Sequence, residues 1–577
     1  MHNKLKILSI CILITLSITA CRYAHPRTTP TQLPPLAAAR TSVLLLPLDS
    51  RPVCSTLPQK LGQLAGLNVI LPPKAYLDNY KTPANKEKLW QWLAYNQKFY
   101  SSSLISADIL LYGSLLQARQ NVATPKQEAD LISALANLNT SPSPTQTQAA
   151  GNTAKDCTIF SVIPRLLVSD ELLPDRWYQY QLLRYSELAD MVRISSSFAL
   201  TQKLHEVEAK IPAKVLQKYL SQYQQSDRFN TSLLNLADTH TNLQLVFGQD
   251  DAAPIGLPHA SASRLQALIR SHSLQKKAQL TYGADEIASL LIAKAYLQQA
   301  QWQPHIYLKF GTLQTEEKQM PYMAVSTGTA VRNQLQLIGA RLAATEEEAD
   351  IILYIHCGDD NSLPTQREAE QLNKWLTTPA AQAKKIALVD LSANFEADEM
   401  LLPLLLKENV PVNKLAAYAG WNTFSNSSGT AIAQAVIFTG RLHQLQQEHA
   451  DEKQLAAFYA DNLNFTIERM LEDYYYQKLL HPGLRTTLTS LGISPTDLSA
   501  EDKQQAEYYI QKRLSLYAEL LLWHNLNRTP FYSSNTADYY LKNLTVGSTL
   551  PWSRIFEVDL QIWTQFGISS KKIRNSR

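Results

Sequence analysis

Two adjacent carboxylates, Asp250 and Asp251, follow the apolar run that opens the stretch Leu243–Gly256, LQLVFGQDDAAPIG. A second adjacent pair, Asp285 and Glu286, follows another short apolar run. Neighbouring carboxyls oppose each other's ionisation, so one can stay protonated and donate while its partner stays charged. Both pairs are therefore candidate catalytic groups. Other residues of suitable type sit in comparable places: Asp49 with Arg51, Asp108, Arg165, Asp359 with Asp360, Asp390 with Asn394, and Trp421 with Asn422 and Asn426. Carboxylates and amides hydrogen-bond sugar hydroxyls, and an indole face stacks on the C–H side of a pyranose. A cleft that gathered these groups would suit a glycan or another polyhydroxylated small molecule. No cofactor motif is present, although the same oxygens would alternatively hold Mg²⁺ or Ca²⁺.

Other chemistries find less support. His356 beside Cys357 and Asp359 is the only mixed zinc-type cluster, and no second histidine follows at helical spacing. No serine lies in a G-x-S-x-G elbow, and Ser50 in Leu-Asp-Ser-Arg-Pro reads as an orienting or capping residue. Cys54, Cys157 and Cys357 are too few and too widely spaced for a disulfide framework. A net charge of +4, with no basic helix, argues against nucleic acid. Apolar content of 45% and charge of 18% describe an ordinary globular chain.

The elements that must position these residues are buried strands. Runs at 42–48, 68–73, 107–113, 157–163, 243–248, 279–283, 305–310, 350–355, 385–389 and 415–419 alternate with helical stretches such as Lys86–Tyr100, Ile287–Ala300, Val331–Leu342 and Gln366–Leu376. Sustained alternation of this kind means parallel sheet. Roughly eight to ten strands, with no dinucleotide or P-loop turn, favour an α/β (β/α)₈ barrel over residues 41–450. Acidic residues at the strand ends would then converge on its C-terminal face. An open doubly wound parallel sheet is the alternative, because strand order is not written in the sequence. Residues 137–156 are rich in Ser, Thr, Pro and Gln and read as a disordered insertion. From 451 to 577 the pattern is helical and tyrosine-rich, an appendage packed on the barrel.

The N-terminus carries its own message. Lys4 and Lys6 precede the apolar run Ile7–Ile18, which ends in Ile18-Thr19-Ala20-Cys21. This is a signal-peptide pattern over residues 1–21 that resembles a bacterial lipobox, with Cys21 as the lipidated residue. Residues 22–40 would be a flexible tether. Arg22, where aspartate would stand for inner-membrane retention, points to the outer membrane of a two-membrane envelope, on its periplasmic or surface side.

Several stretches together resemble a bacterial family, DUF4127. They are Pro47-Leu-Asp-Ser-Arg-Pro52, Asp108-Ile-Leu-Leu-Tyr-Gly113 with Arg119, Gly248-Gln-Asp-Asp251, Gly283-Ala-Asp-Glu286, Tyr418-Ala-Gly-Trp-Asn-Thr423 with Asn426 and Gly429, and Pro551-Trp-Ser-Arg554 with Phe556-Glu557. Where the family pattern has two glycines after the tyrosine of the second motif, this chain has Gly113-Ser114. The resemblance implies no particular activity. A looser similarity is to retaining hexosaminidases that use the substrate's own 2-acetamido group, in which an adjacent acidic pair ends a barrel strand. Gln249-Asp250-Asp251 and Ala284-Asp285-Glu286 look like such pairs.

The expectation is thus a lipid-anchored glycoside hydrolase of the cell envelope. Asp250 and Asp251 would carry the chemistry, with Asp285 and Glu286 as second candidates. Asp49, Arg51, Asp108, Arg165, Trp421, Asn422 and Asn426 would bind substrate. A metal-dependent hydrolase using the same carboxylates and a non-catalytic glycan-binding lipoprotein are the rival expectations.

Overall fold

A computed structural model describes residues 41–571, apart from 101, 121–122, 141–155, 168–177, 359–361 and 395–398. The leader, Cys21, the tether, most of the insertion, and Asp359 and Asp360 lie outside the described residues.

Among the described residues, eleven strands form two open sheets in place of one closed barrel. The first sheet holds β1 (Ser42–Leu46), β2 (Asn68–Ile70), β3 (Ser102–Ser106), β4 (Asp156–Ile163), β5 (Leu243–Gln249) and β6 (Ala278–Tyr282) in the order β2-β1-β3-β4-β5-β6. The second holds β7 (His305–Phe310), β8 (Arg341–Leu342), β9 (Ile351–Gly358), β10 (Lys385–Ser392) and β11 (Ala417–Ala419) in the order β11-β10-β9-β7-β8. Every pairing within these two sheets is parallel. Each sheet starts in its interior, adds one strand on one side, then reverses and builds outward on the other. That is the doubly wound order, and it corrects the barrel expectation in favour of the open-sheet alternative. The expected alternation is real; the reversal of direction could not be read from it.

The two sheets share one core. The helices Ile287–Ala300 and Phe424–Gln447 are buried almost end to end. Their side chains pack with Val43, Leu45 and Val246 from the first sheet and with Ile351, Leu353 and Val389 from the second. A helix that is apolar nearly all round belongs between layers, as Ile287–Ala300 does; Phe424–Gln447 is buried there too, although it carries small polar residues such as Ser425, Ser428 and Gln434.

Local readings were also displaced. The run Ala107–Gly113 is not a strand: Ala107–Tyr112 is a helix stopped by Gly113 at φ 100°, and the strand is the serine-rich segment before it. Ahead of β5, the helices Phe198–Glu208 and Ala213–Thr239 are separated at Pro212. The C-terminal region is helical only in part. After the helices Glu452–Arg469, His481–Ser490 and Ala500–Leu521 comes an antiparallel sheet of β12 (Tyr532–Ser533), β13 (Ala537–Thr549) and β14 (Asp559–Ser570). No helix among the described residues is long and apolar enough to cross a membrane.

Candidate active-site cleft

The C-terminal ends of β5 and β6 approach closely because two glycines let them. A Cβ on Gly248 would stand 2.5 Å from the Gly283 carbonyl oxygen. Gly283 itself adopts φ 120°, and a Cβ there would meet Glu286 Oε1 at 2.1 Å and Ser425 Oγ at 2.4 Å. Only glycine fits such a turn without strain. The result sets Asp250 and Asp251 beside Asp285 and Glu286. The third wall is the start of the helix Phe424–Gln447. The stretch Phe424–Thr430 is helical from its first residue, and the Thr423 hydroxyl caps it by accepting the Asn426 N–H.

Gln249, Asp250, Asp251, Asp285, Glu286, Tyr322, Asn422 and Ser425 line the resulting cleft. The room left between these side chains is about 20 Å³, the space of about one water molecule. As it stands the cleft admits a water or one small polar group, and a sugar ring enters only if its walls part. Tyr322 and Asn422 both sit at positive φ, 63° and 70°. Asparagine tolerates this conformation, whereas tyrosine in it is strained, a condition that clusters at working sites.

Three guanidinium groups hold the carboxylates. Arg119 donates to Asp250 at 2.6 Å, and Arg165 lies 3.3 Å from Asp251. Arg51 grips two partners at once, reaching Asp49 at 2.7 Å and Asp285 at 2.7 Å. Burial alone would raise Asp250, but the charges of Arg119 and Arg165 outweigh it and keep this carboxylate below its ordinary range. Asp251, one residue on, goes the other way: burial and the Asp250 charge push it up to about 6. Asp285 is raised by burial despite Arg51. Glu286, 1% exposed, is pushed up to about 8, chiefly by burial. Adjacent groups displaced in opposite directions divide into a base and an acid.

The cleft also holds unmet hydrogen-bonding capacity. Gln249 is 3% exposed, and neither its amide oxygen nor its amide nitrogen has a partner. Glu286 Oε2 is likewise unpartnered. Buried polar groups without partners are rare enough in folded proteins to call for an explanation, and a ligand is one.

The same carboxylates bear on the Mg²⁺ or Ca²⁺ alternative. Such ions need several oxygens converging on one point. Here the Asp49, Asp250, Asp251 and Asp285 oxygens face guanidinium groups, and no group of three or more His, Cys, Asp or Glu among the described residues is arranged to hold a metal ion. As arranged, these residues do not fit the metal alternative.

Several expected site residues serve elsewhere. Asp108 lies in a helix first turn and accepts the Val162 N–H at 3.0 Å, so it ties β4 to that helix and does not line the cleft. Asp390 accepts the Leu401 and Leu402 N–H groups, and Asn394 bonds Glu399. Trp421 packs on Phe556, with ring centroids 5.3 Å apart, and lines a neighbouring cavity together with Asn426. The aromatic group at the acidic cleft is Tyr322. His356 lies 2.9 Å from Glu368 and is buried, a structural ion pair and not a ligand set.

The sequence reading also missed partners. Gln249 and Arg119 stood inside the quoted motifs without a role. Trp552 closes the back of the site: its indole N–H donates to Ser50 Oγ at 2.9 Å, its ring stacks on Tyr80, and the Arg51 guanidinium lies 5.8 Å from its centroid. Ser50 N–H in turn donates to Asp78 at 2.8 Å.

All six family motifs thus meet around one cleft and its immediate support. The family described as Protein of unknown function (DUF4127) matches residues 43–561. The chain belongs to this family. No curated protein and no solved structure matches it. The DUF4127 match runs from β1 into β14, so it takes in both parallel sheets and the Trp552 segment.

Proposed function

We propose that this cleft is the active site of a glycoside hydrolase, held outside the cytoplasm by lipid on Cys21. The observation that carries the reading is the opposite displacement of Asp250 and Asp251 within one small cleft. Asp251 is protonated on the acid side of about 6 and is the general acid. It gives its proton to the glycosidic oxygen as the bond to the anomeric carbon breaks, and the leaving sugar departs as an alcohol. Asp250 remains a carboxylate and faces the positive charge that grows on the sugar. On a substrate with a 2-acetamido group, the acetamido oxygen attacks the anomeric carbon while Asp250 accepts the acetamido N–H. Water, deprotonated by Asp251, then opens the cyclic intermediate. Gln249 and Asn422 supply hydrogen bonds to the ring substituents.

The deciding experiment is turnover of fluorogenic glycosides, N-acetylhexosaminides included, with and without EDTA, beside Asp250→Asn and Asp251→Asn. Chelator-resistant hydrolysis that falls by about 10²–10⁴-fold in Asp251→Asn supports the reading. Activity abolished by EDTA and restored by Mg²⁺ or Ca²⁺ would replace it with a metal-dependent hydrolase. Sugar affinity with no turnover at any pH would replace it with a glycan-binding lipoprotein.

A further inference from the structure

The helix Ala500–Leu521 buries Ala506, Ile510, Leu514, Ala518 and Leu521, and it packs on β13. One apolar stripe is what a surface helix needs. This helix and the turn after it carry a second. Tyr509, Leu516, Leu520 and Trp523 are 46%, 44%, 41% and 57% exposed. Tyr509, Leu516 and Trp523 recur at intervals of seven, so they share a face, and at about 1.5 Å per residue the stripe runs about 21 Å. Large apolar side chains lined up in solvent are uncommon on a monomer and mark a contact surface.

Charge identifies the occupant. Lys512 and Glu519 are exposed on this helix. At 100° per residue they fall roughly 40° and 60° to the same side of Leu516. A second copy laid antiparallel and centred on Leu516 would put Leu516 on its counterpart and Tyr509 against Trp523 of the copy. The same arrangement brings Lys512 opposite Glu519 of the copy at both ends. A parallel copy would oppose like charges. Heptad spacing with a flanking pair of opposite sign sets both partner and direction in helix pairing.

We propose that this face joins two copies of the chain, antiparallel about Leu516. A single helix pair lies at the small end of stable interfaces, so the dissociation constant is on the order of micromolar.

Sedimentation equilibrium of the full-length chain tests this. The expected result is a monomer–dimer equilibrium that Leu516→Glu weakens by about tenfold or more. Lys512→Glu and Glu519→Lys should each weaken it about fivefold, and the double reversal should restore it. Leu516→Cys should form a disulfide-linked dimer on mild oxidation. A monomer at every attainable concentration overturns the proposal. So does a dimer indifferent to Leu516→Glu. A monomer that binds anionic vesicles and loses this with Trp523→Ser would make the stripe a membrane face, and also overturns it.

Discussion

Raising the pH through about 6 takes the proton from Asp251, while Asp250 loses its charge only below its ordinary range. If Asp251 must donate and Asp250 must stay ionised, kcat/KM is flat between these limits and falls on the alkaline side with a midpoint near 6. Arg119→Met should move the acid limb upward, because the guanidinium that holds Asp250 ionised is gone; a kcat/KM profile from pH 3 to 8 reads both limbs. Glu286 carries the opposite consequence for stability. Its folded value of about 8 lies well above that of an unfolded glutamate, so the folded state binds the extra proton. This contribution is complete below the unfolded value and fades as pH rises toward about 8. Urea melts at pH 5 and pH 9 should show the wild type losing more stability on going alkaline than Glu286→Gln does. Asp250 and Asp251 were legible as a pair from the sequence, since both follow a buried apolar run. The sign of each displacement was not, because it depends on arginines 131 and 86 positions away.

At the scale of elements, two glycines and one buried tryptophan hold the cleft in register. Gly283→Ala puts a methyl group where Glu286 Oε1 and Ser425 Oγ now lie, on a backbone that already has positive φ. We expect it to destabilise by about 1–3 kcal/mol and to lower kcat more than it raises KM, measured by urea denaturation and glycoside kinetics. Trp552→Ala removes a fully buried indole, with a cost of about 3–5 kcal/mol by the same denaturation assay. Most strands and their approximate positions could be read from apolar runs, because a strand buried on both faces has no other composition open to it. Ala107–Tyr112 deceived for a physical reason: six buried residues in a row look alike whether they form a strand or a short helix. The antiparallel hairpin of β13 and β14 escaped because a register shift at Leu541/Asn543 and apolar residues on the exposed face (Trp563, Phe566, Ile568) break the two-residue alternation.

For the whole molecule, the decisive unread quantity was strand order. Composition and alternation are the same for eight strands closed in a ring and for two sheets wound outward from their middles, and only the long-range pairings separate them. The shared core predicts how the molecule comes apart. The helices Ile287–Ala300 and Phe424–Gln447 bury side chains against both sheets, so neither sheet keeps its core without the other. Equilibrium unfolding followed by tryptophan fluorescence and by far-ultraviolet circular dichroism should give coincident transitions; separate midpoints would show independent halves.

The hydrogen bond from Trp552 to Ser50 spans 502 residues of chain. At about 5–20 residues per second, a ribosome needs about 25–100 s after making Ser50 before it adds the indole that backs Arg51. Throughout that interval the nascent polypeptide can build β1 and its neighbours but not a finished cleft. A complete cleft is therefore a late event in biosynthesis, and any fragment truncated before Pro551 is expected to emerge without one.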